Sequence, residues 1–273
     1  MRKKDIHFGA AYGYVYPLAE TAIGMSDACL AIVKGLPETM NQEQLLALYN
    51  KAYSGSYDEK FLMSDTTRSD TAHELKVLAR LLEGSPAWLD VACGTGFFLS
   101  RFPGVERAGL DLSPDMLRLA REANPGVTFY ERSYLDPAPE WRDRWDLVSC
   151  MWYAYGYVSS MSELETLAAN LALWTAPTGR CFVPLADPRL LSGVNLPFQV
   201  QSVLPGEISV TGILWSYTEE SGKSVHAHMI APQVEWMEAL FGRYFRTIEL
   251  ETYPAAFPGW GQRRALIASA KRE

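Results

Sequence analysis

From residue 87 onward, short apolar runs alternate with stretches whose apolar residues recur at helical spacing. Residues 87–92 read as a strand, 94–102 as a helix and 107–112 as a second strand. Residues 114–122 read as a helix with Pro114 in its first turn, where a missing N–H is no loss. Strands follow at 127–132 and 145–151, then a helix over 163–174 ended by Ala176-Pro177-Thr178-Gly179, then a strand at 180–185. Alternation at this pitch predicts a parallel sheet with helices on both faces, and such sheets bind ligands beyond the carboxyl ends of their strands. The rhythm breaks at 187–230. There, 208–218 and 223–230 flank Glu219-Glu220-Ser221-Gly222 and predict an antiparallel hairpin. A helix over 232–241 and strands at 246–253 and 264–270 complete the pattern.

The stretch before residue 63 is different in kind. It is rich in Tyr and predicts two helices, one over 18–34 and one after the cap Asn41, carrying Leu45, Leu46, Leu48 and Tyr49. We read 1–62 as a helical lid and 63–273 as the ligand-binding domain, with 187–230 inserted over the substrate. The polar stretch 64–70 opens a further helix with Leu75, Leu78, Ala79, Leu81 and Leu82 on its apolar positions.

Composition narrows the function. The chain has 273 residues, 48% hydrophobic and 21% charged, enough for a full core and too apolar for a disordered chain. A net charge of −7 lacks the basic footprint of a nucleic-acid binder, so no nucleic acid is expected as partner. The pairs Arg142/Arg144 and Arg263/Arg264 read as solvated surface. No apolar run approaches the roughly 20 residues that span a bilayer, and the aromatic start does not suit a signal-peptide core. No membrane partner and a cytoplasmic location are therefore expected. Cys29, Cys93, Cys150 and Cys181 lie far apart, which argues against zinc and against a disulfide framework. The expected assembly is a monomer or homodimer.

The informative segment is Trp88-Leu89-Asp90-Val91-Ala92-Cys93-Gly94-Thr95-Gly96-Phe97-Phe98-Leu99. An apolar strand runs into a Gly-x-Gly turn that opens a helix. The glycines permit positive φ, and their missing Cβ lets a ligand approach the backbone. A nicotinamide dinucleotide fingerprint needs a third glycine where this chain has Leu99, which makes a dehydrogenase a distant reading. The second strand ends in Asp111, and a carboxylate there can accept both hydroxyls of a ribose.

Three segments together resemble the class I S-adenosylmethionine-dependent methyltransferases: 89–96 (LDVACGTG), 109–117 (GLDLSPDML) and 145–150 (WDLVSC). Their order and spacing agree over about residues 65–185. Within the family the chain is most similar to small-molecule N-methyltransferases of the glycine and amino-sugar type, on the style of 150–158 (CMWYAYGYV) and the upstream Arg68. The resemblance implies an α/β fold: a Rossmann-like, seven-stranded, mostly parallel sheet with helices on both faces, here with the lid and hairpin added. It implies S-adenosylmethionine as cofactor and a small-molecule acceptor. Asp90 and the 92–96 backbone, including Ala92, Gly94 and Gly96, would hold the methionine end, and Arg68 would pair with its carboxylate. Asp111 would bind the ribose, and Leu112 and Met116 would cover the adenine. Ser133, where many relatives have an Asp, and Tyr134 would reach the adenine edge. Met151 would line the site, and Tyr57 would close over the cofactor.

Methyl transfer from a sulfonium needs the acceptor held in line and water excluded, so the lack of a triad is no objection. Aromatic faces suit a sulfonium, and Trp152, Tyr153, Tyr155 and Tyr157 follow the fourth strand. Tyr153 and Tyr155 are the acceptor-side candidates. His226 and His228 share one face of a predicted strand; we take His228 as the candidate base and leave His226 as a hairpin histidine. Asp187 and Asn195, after the fifth strand, are weaker candidates. Other outcomes on the same cofactor are cyclisation to azetidine-2-carboxylate, aminocarboxypropyl transfer, and a non-catalytic binding module.

Overall fold

β1 (Ala87–Val91) is buried along its whole length, as a strand covered on both faces must be. It pairs in parallel with β2 (Glu106–Asp111) on one side and β4 (Trp145–Cys150) on the other. The computed structural model describes residues 42–65, 67–84, 87–190, 212–218, 225–255 and 261–273, all within the compact unit Thr39–Glu273. The expected helix over 18–34, the cap Asn41, Cys29 and Asn195 lie outside the described residues.

The main sheet has seven strands in the order β3-β2-β1-β4-β5-β9-β8. β3 is Thr128–Glu131, β5 Thr175–Leu185, β8 Phe245–Thr252 and β9 Arg264–Lys271. β1 to β5 run parallel, and β9 runs antiparallel between β5 and β8. Period-two alternation sends Trp88, Leu147 and Phe182 to one face, against Val77, Leu78 and Leu81 of the helix Arg68–Leu81. Leu89, Val148 and Val183 face the other way, against Leu164 and Leu171 of Met161–Trp174 and Met237 and Leu240 of Val234–Gly242. β6 (Gly212–Thr218) and β7 (Val225–Pro232) form the separate antiparallel hairpin.

Three sequence boundaries move for physical reasons. The helix expected over 94–102 shrinks to Phe97–Ser100, because the chain needs left-handed φ at Ala92, Gly94 and Gly96 to turn out of the strand. The helix ends at Trp174 as expected, but 176–179 lie inside β5, which starts at Thr175 and not at 180. Trp145 pairs with Thr175 but Leu147 pairs with Arg180, so the extra residues bulge within the ladder. β7 continues to Pro232, and the helix begins at Val234.

β1 and β4 are central neighbours whose connections leave in opposite directions. Their carboxyl ends therefore form the crevice where this architecture binds ligands.

Candidate functional site

The crevice opens into a cavity of about 510 Å³, within the size range of small-molecule sites. Its floor is the turn after β1. The Cys93 N–H donates to the Leu110 carbonyl at 2.9 Å, tying the turn to β2. The Gly94 N–H donates to Asp111 Oδ2 at 2.8 Å, and the Ser113 N–H donates to Asp111 Oδ1 at 2.9 Å. Burial raises the Asp111 carboxyl, and these backbone donors pull it back. Asp111 is thus a carboxylate fixed in orientation at the end of β2, beside the cap Ser113 that starts Pro114–Ala123.

Asp90 is 1% exposed. Its Oδ1 accepts the Ser149 hydroxyl at 2.6 Å, and that hydroxyl accepts the Trp88 indole N–H at 2.9 Å. Its Oδ2 is buried, has no protein partner and belongs to a residue lining the cavity. Burial, opposed by the Ser149 bond and assisted by Asp111, pushes Asp90 up to about 7. A buried carboxylate oxygen in this state is a site for a cation with an N–H to give.

A segment before the domain roofs the cavity. The Ser113 hydroxyl donates to the Tyr49 carbonyl at 2.9 Å, and the Thr95 hydroxyl donates to Asp58 Oδ1 at 2.6 Å. Tyr57 packs against Tyr49 and Phe61, with ring centroids 6.1 and 5.0 Å away. The hairpin supplies His226, which is 4% exposed and lines the cavity. Its Nε2 stands 2.8 Å from Tyr53 Oη and its Nδ1 2.5 Å from Tyr157 Oη, and Tyr157 Oη stands 2.8 Å from Tyr49 Oη.

The cavity brings together Tyr57, Asp90, Ala92, Gly94, Asp111, Leu112, Met116, Ser133, Tyr134, Met151 and Tyr153. Three expected residues are elsewhere. Arg68 is 59% exposed at the start of its helix and pairs with Asp65, so it does not line the cavity. Gly96 holds φ +70° behind the turn, where a Cβ would meet Asn124 Nδ2 at 2.7 Å. It packs closely against Ala120 and Asn124, whereas a Cβ on Gly94 would meet open space. Tyr155 is 1% exposed in the core, and its hydroxyl accepts the Ala186 N–H at 2.8 Å. His228 lies on β7, and its side chain is outside what the structure describes. Asp187 is buried in an ion pair with Arg189 and Arg264; these outweigh burial and lower its carboxyl.

Arg263, read from sequence as solvated, lines the cavity instead. It pairs with Asp70 at 2.5 Å and lies over the rings of Trp152 and Tyr153, 5.2 and 4.8 Å from their centroids. An Arg beside an Arg signals nothing in sequence; Arg263 stands just before β9 and reaches Asp70, while Arg264, the first residue of β9, reaches Asp187.

Residues 89–179 match a family described as a methyltransferase domain. The chain is 30% identical over 189 residues to dTDP-3-amino-3,6-dideoxy-alpha-D-glucopyranose N,N-dimethyltransferase of Streptomyces fradiae, covering 65% of this chain and 71% of that one. The chain belongs to the class I S-adenosylmethionine-dependent methyltransferases. A Streptomyces venezuelae relative, dTDP-3-amino-3,4,6-trideoxy-alpha-D-glucopyranose N,N-dimethyltransferase, is 31% identical over 136 residues, 48% of this chain and 56% of that one. The fold is shared with CalS10, an amino pentose methyltransferase from Micromonospora echinaspora, at TM-score 0.53 and 20% identity over 82% of this chain and 98% of that one. It is also shared with the magnesium protoporphyrin IX methyltransferase of Synechocystis PCC 6803, at TM-score 0.58 and 14% identity over 85% and 99%. As a class I methyltransferase the chain uses S-adenosylmethionine and acts on a small molecule. The residues fit that cofactor: an unpartnered buried carboxylate oxygen at Asp90 suits an ammonium, Asp111 suits a diol, and open space over Gly94 admits the chain between them. No helix among the described residues is long and apolar enough to cross a membrane.

Proposed function

We propose that this methyltransferase N-methylates an amino sugar carried on a nucleotide. The observation that carries the reading is the likeness to the Streptomyces fradiae amino-sugar dimethyltransferase across 71% of its length. The roofed, aromatic cavity supports it, since a closed roof favours a small acceptor over a macromolecule. The other uses of the sulfonium draw no support from the relatives named above.

When bound, S-adenosylmethionine supplies an electrophilic methyl whose bonding pair stays on sulfur as the methyl leaves. The chain's own work is to hold, orient and keep dry. Asp90 would accept the methionine ammonium through its open Oδ2, and Asp111 would accept the ribose hydroxyls. Leu112 and Met116 would cover the adenine, with Ser133 and Tyr134 at its edge. Tyr57 and Met151 would close around the centre of the site. Tyr153, clamped under Arg263, would face the acceptor. Positioning of this kind supplies roughly 7–11 kcal/mol of a barrier.

Of the segment through residue 62, the described part, residues 42–62, would act as a lid over the domain from residue 63 onward. The Tyr49–Ser113 and Asp58–Thr95 hydrogen bonds support that role. A cytoplasmic setting and a part in secondary metabolism belong to the same reading. The unpaired thiols of Cys93, Cys150 and Cys181 support the first, and the sugar-modifying relatives support the second.

Incubation with S-adenosylmethionine and dTDP-3-amino-3,6-dideoxy-α-D-glucopyranose, alongside a panel of other amines, tests it. One or two added methyl groups on nitrogen are expected by mass spectrometry. Methylation of hydroxyl or carboxyl acceptors with none on any amine would overturn the reading.

A further inference from the structure

Amine methylation has a proton problem that the cofactor-side carboxylates do not solve. An amino sugar arrives largely as its ammonium at neutral pH, and the new N–C bond needs the lone pair that this proton occupies. One proton must leave the nitrogen before each transfer, which calls for an acceptor group within reach whose protonation changes near neutrality.

His226 meets the geometric requirement. It lines the cavity from β7, and both ring nitrogens stand against phenol hydroxyls, Tyr53 at 2.8 Å and Tyr157 at 2.5 Å. Tyr157 continues to Tyr49 at 2.8 Å, and Tyr49 and Tyr157 line the cavity as well. A neutral imidazole has one N–H and one lone pair. With Nε2–H given to Tyr53, the hydroxyls of Tyr49 and Tyr157 point in sequence toward Nδ1. A proton delivered to that chain from the cavity ends on the ring.

Among the described residues, the groups around the cavity have other roles. Burial and the neighbouring phenols raise Tyr49, and burial with Tyr157 and Asp111 raises Tyr57, so these hydroxyls stay neutral and can pass a proton but not keep one. Lys60 Nζ lies over the Tyr53 ring, 5.3 Å from its centroid. Asp58 accepts from Thr95, and Asp111 accepts from two backbone N–H groups. Glu163 accepts the Ser159 N–H at 2.6 Å in the cap of its own helix.

We propose that His226 is the proton acceptor for the amine, reached through the Tyr157 hydroxyl, with Tyr53 holding the ring from behind. The ammonium N–H bond breaks, its proton passes to Tyr157 Oη as the Tyr157 proton passes to Nδ1, and the freed lone pair forms the N–C bond. The imidazolium returns its proton to solvent when product leaves. This inference rests on the amine-methylation reading and adds the group that makes it work at neutral pH.

The test compares wild type, His226→Gln and Tyr157→Phe, full chain, with the 3-amino sugar nucleotide as acceptor. Both variants are expected to lose about 10²-fold in kcat at pH 7, the lower end of a base's contribution. Most of that loss should return at pH 9, where solvent deprotonates the amine. If His226→Gln does not fold, Tyr157→Phe, which keeps the ring, decides alone. An equal loss at every pH, or no loss, overturns the proposal while leaving amine methylation intact. If wild type methylates no amine at all, the underlying reading falls and this proposal falls with it.

Discussion

Asp90 sets ligand-free stability against cofactor binding. It ionises at about 7 in the folded chain because burial disfavours its charge, whereas in an unfolded chain an aspartate ionises near 4. The folded state therefore holds the proton more tightly than the unfolded state. The stability from this site is full below about pH 4 and is lost as pH climbs through 7, by about 1.4 kcal/mol per unit and on the order of 4 kcal/mol in all. Asp90→Asn keeps an oxygen for the Ser149 hydroxyl and cannot ionise. Its amide N–H₂ replaces the orphaned Oδ2 and costs roughly 1–3 kcal/mol for lack of a partner. The balance at pH 8 favours the variant by about 1–3 kcal/mol, a Tm gain of a few degrees at ~2–4 °C per kcal/mol. At pH 5 the wild-type group is protonated and the gain disappears. S-adenosylhomocysteine should raise the Tm of wild type more than that of the variant, where its ammonium would meet no charge. Differential scanning fluorimetry from pH 5 to 8, with and without that ligand, reads both effects. Glu74, raised by burial to about 8 and in small part by the Asp90 charge, is present in both proteins, and the variant removes only that small part. A Tm difference flat across pH, or equal ligand shifts, would refute the reasoning.

Asp111→Ala should weaken S-adenosylhomocysteine by about 1–3 kcal/mol, the loss of a charged acceptor; an unchanged Kd by calorimetry counts against the ribose assignment. Gly94→Ala and Gly96→Ala should separate: both suffer positive φ, but only the first puts a methyl into the cavity. The first is expected to lose affinity, and the second to lose Tm through its clash with Asn124; equal effects on both quantities would contradict that division. Arg263→Met leaves Asp70, 5% exposed, without its ion-pair partner, a loss of roughly 3–5 kcal/mol visible in urea unfolding; a change under 1 kcal/mol would show that the pair is not what holds β9 to the helix Arg68–Leu81.

The sheet was legible because its evidence is local. Each strand of the parallel half is a short apolar run, and the alternation of Trp88 with Leu89 or Phe182 with Val183 fixes which face each side chain covers. The errors fall where local rules compete. Phe97-Phe98-Leu99 is an apolar run of helical character, yet left-handed residues at 92, 94 and 96 consume the chain that would begin the helix. Pro177 and Gly179 look like a loop after the helix, but they lie in the β5 bulge, where a Cβ on Gly179 would stand 2.9 Å from the carbonyl oxygens of Trp145 and Asp146. Sequence carries the turn residues without saying whether a strand resumes across them.

The site divides along the same line. Asp90, Gly94, Asp111 and Met116 sit at strand ends or one turn beyond, so spacing alone brings them to one edge of the sheet. The acceptor side has no such rule. Tyr53 and His226 are 173 residues apart, and Tyr49 and Tyr157 are 108 apart. They meet because two additions to the sheet, the preceding helices and the β6–β7 hairpin, fold over the same opening. Sequence alone does not separate His226 from His228: two histidines on one strand face are equivalent until something covers one of them, and at His226 the tyrosines do so. An invariant need, binding the cofactor, is met by residues that the strand order brings together. A variable need, handling one acceptor and its proton, is met by the additions, where chain separation is large and the pattern is silent. Changes of substrate in this architecture should therefore map to residues 49–57 and 212–232, with β1 and β2 left as they are.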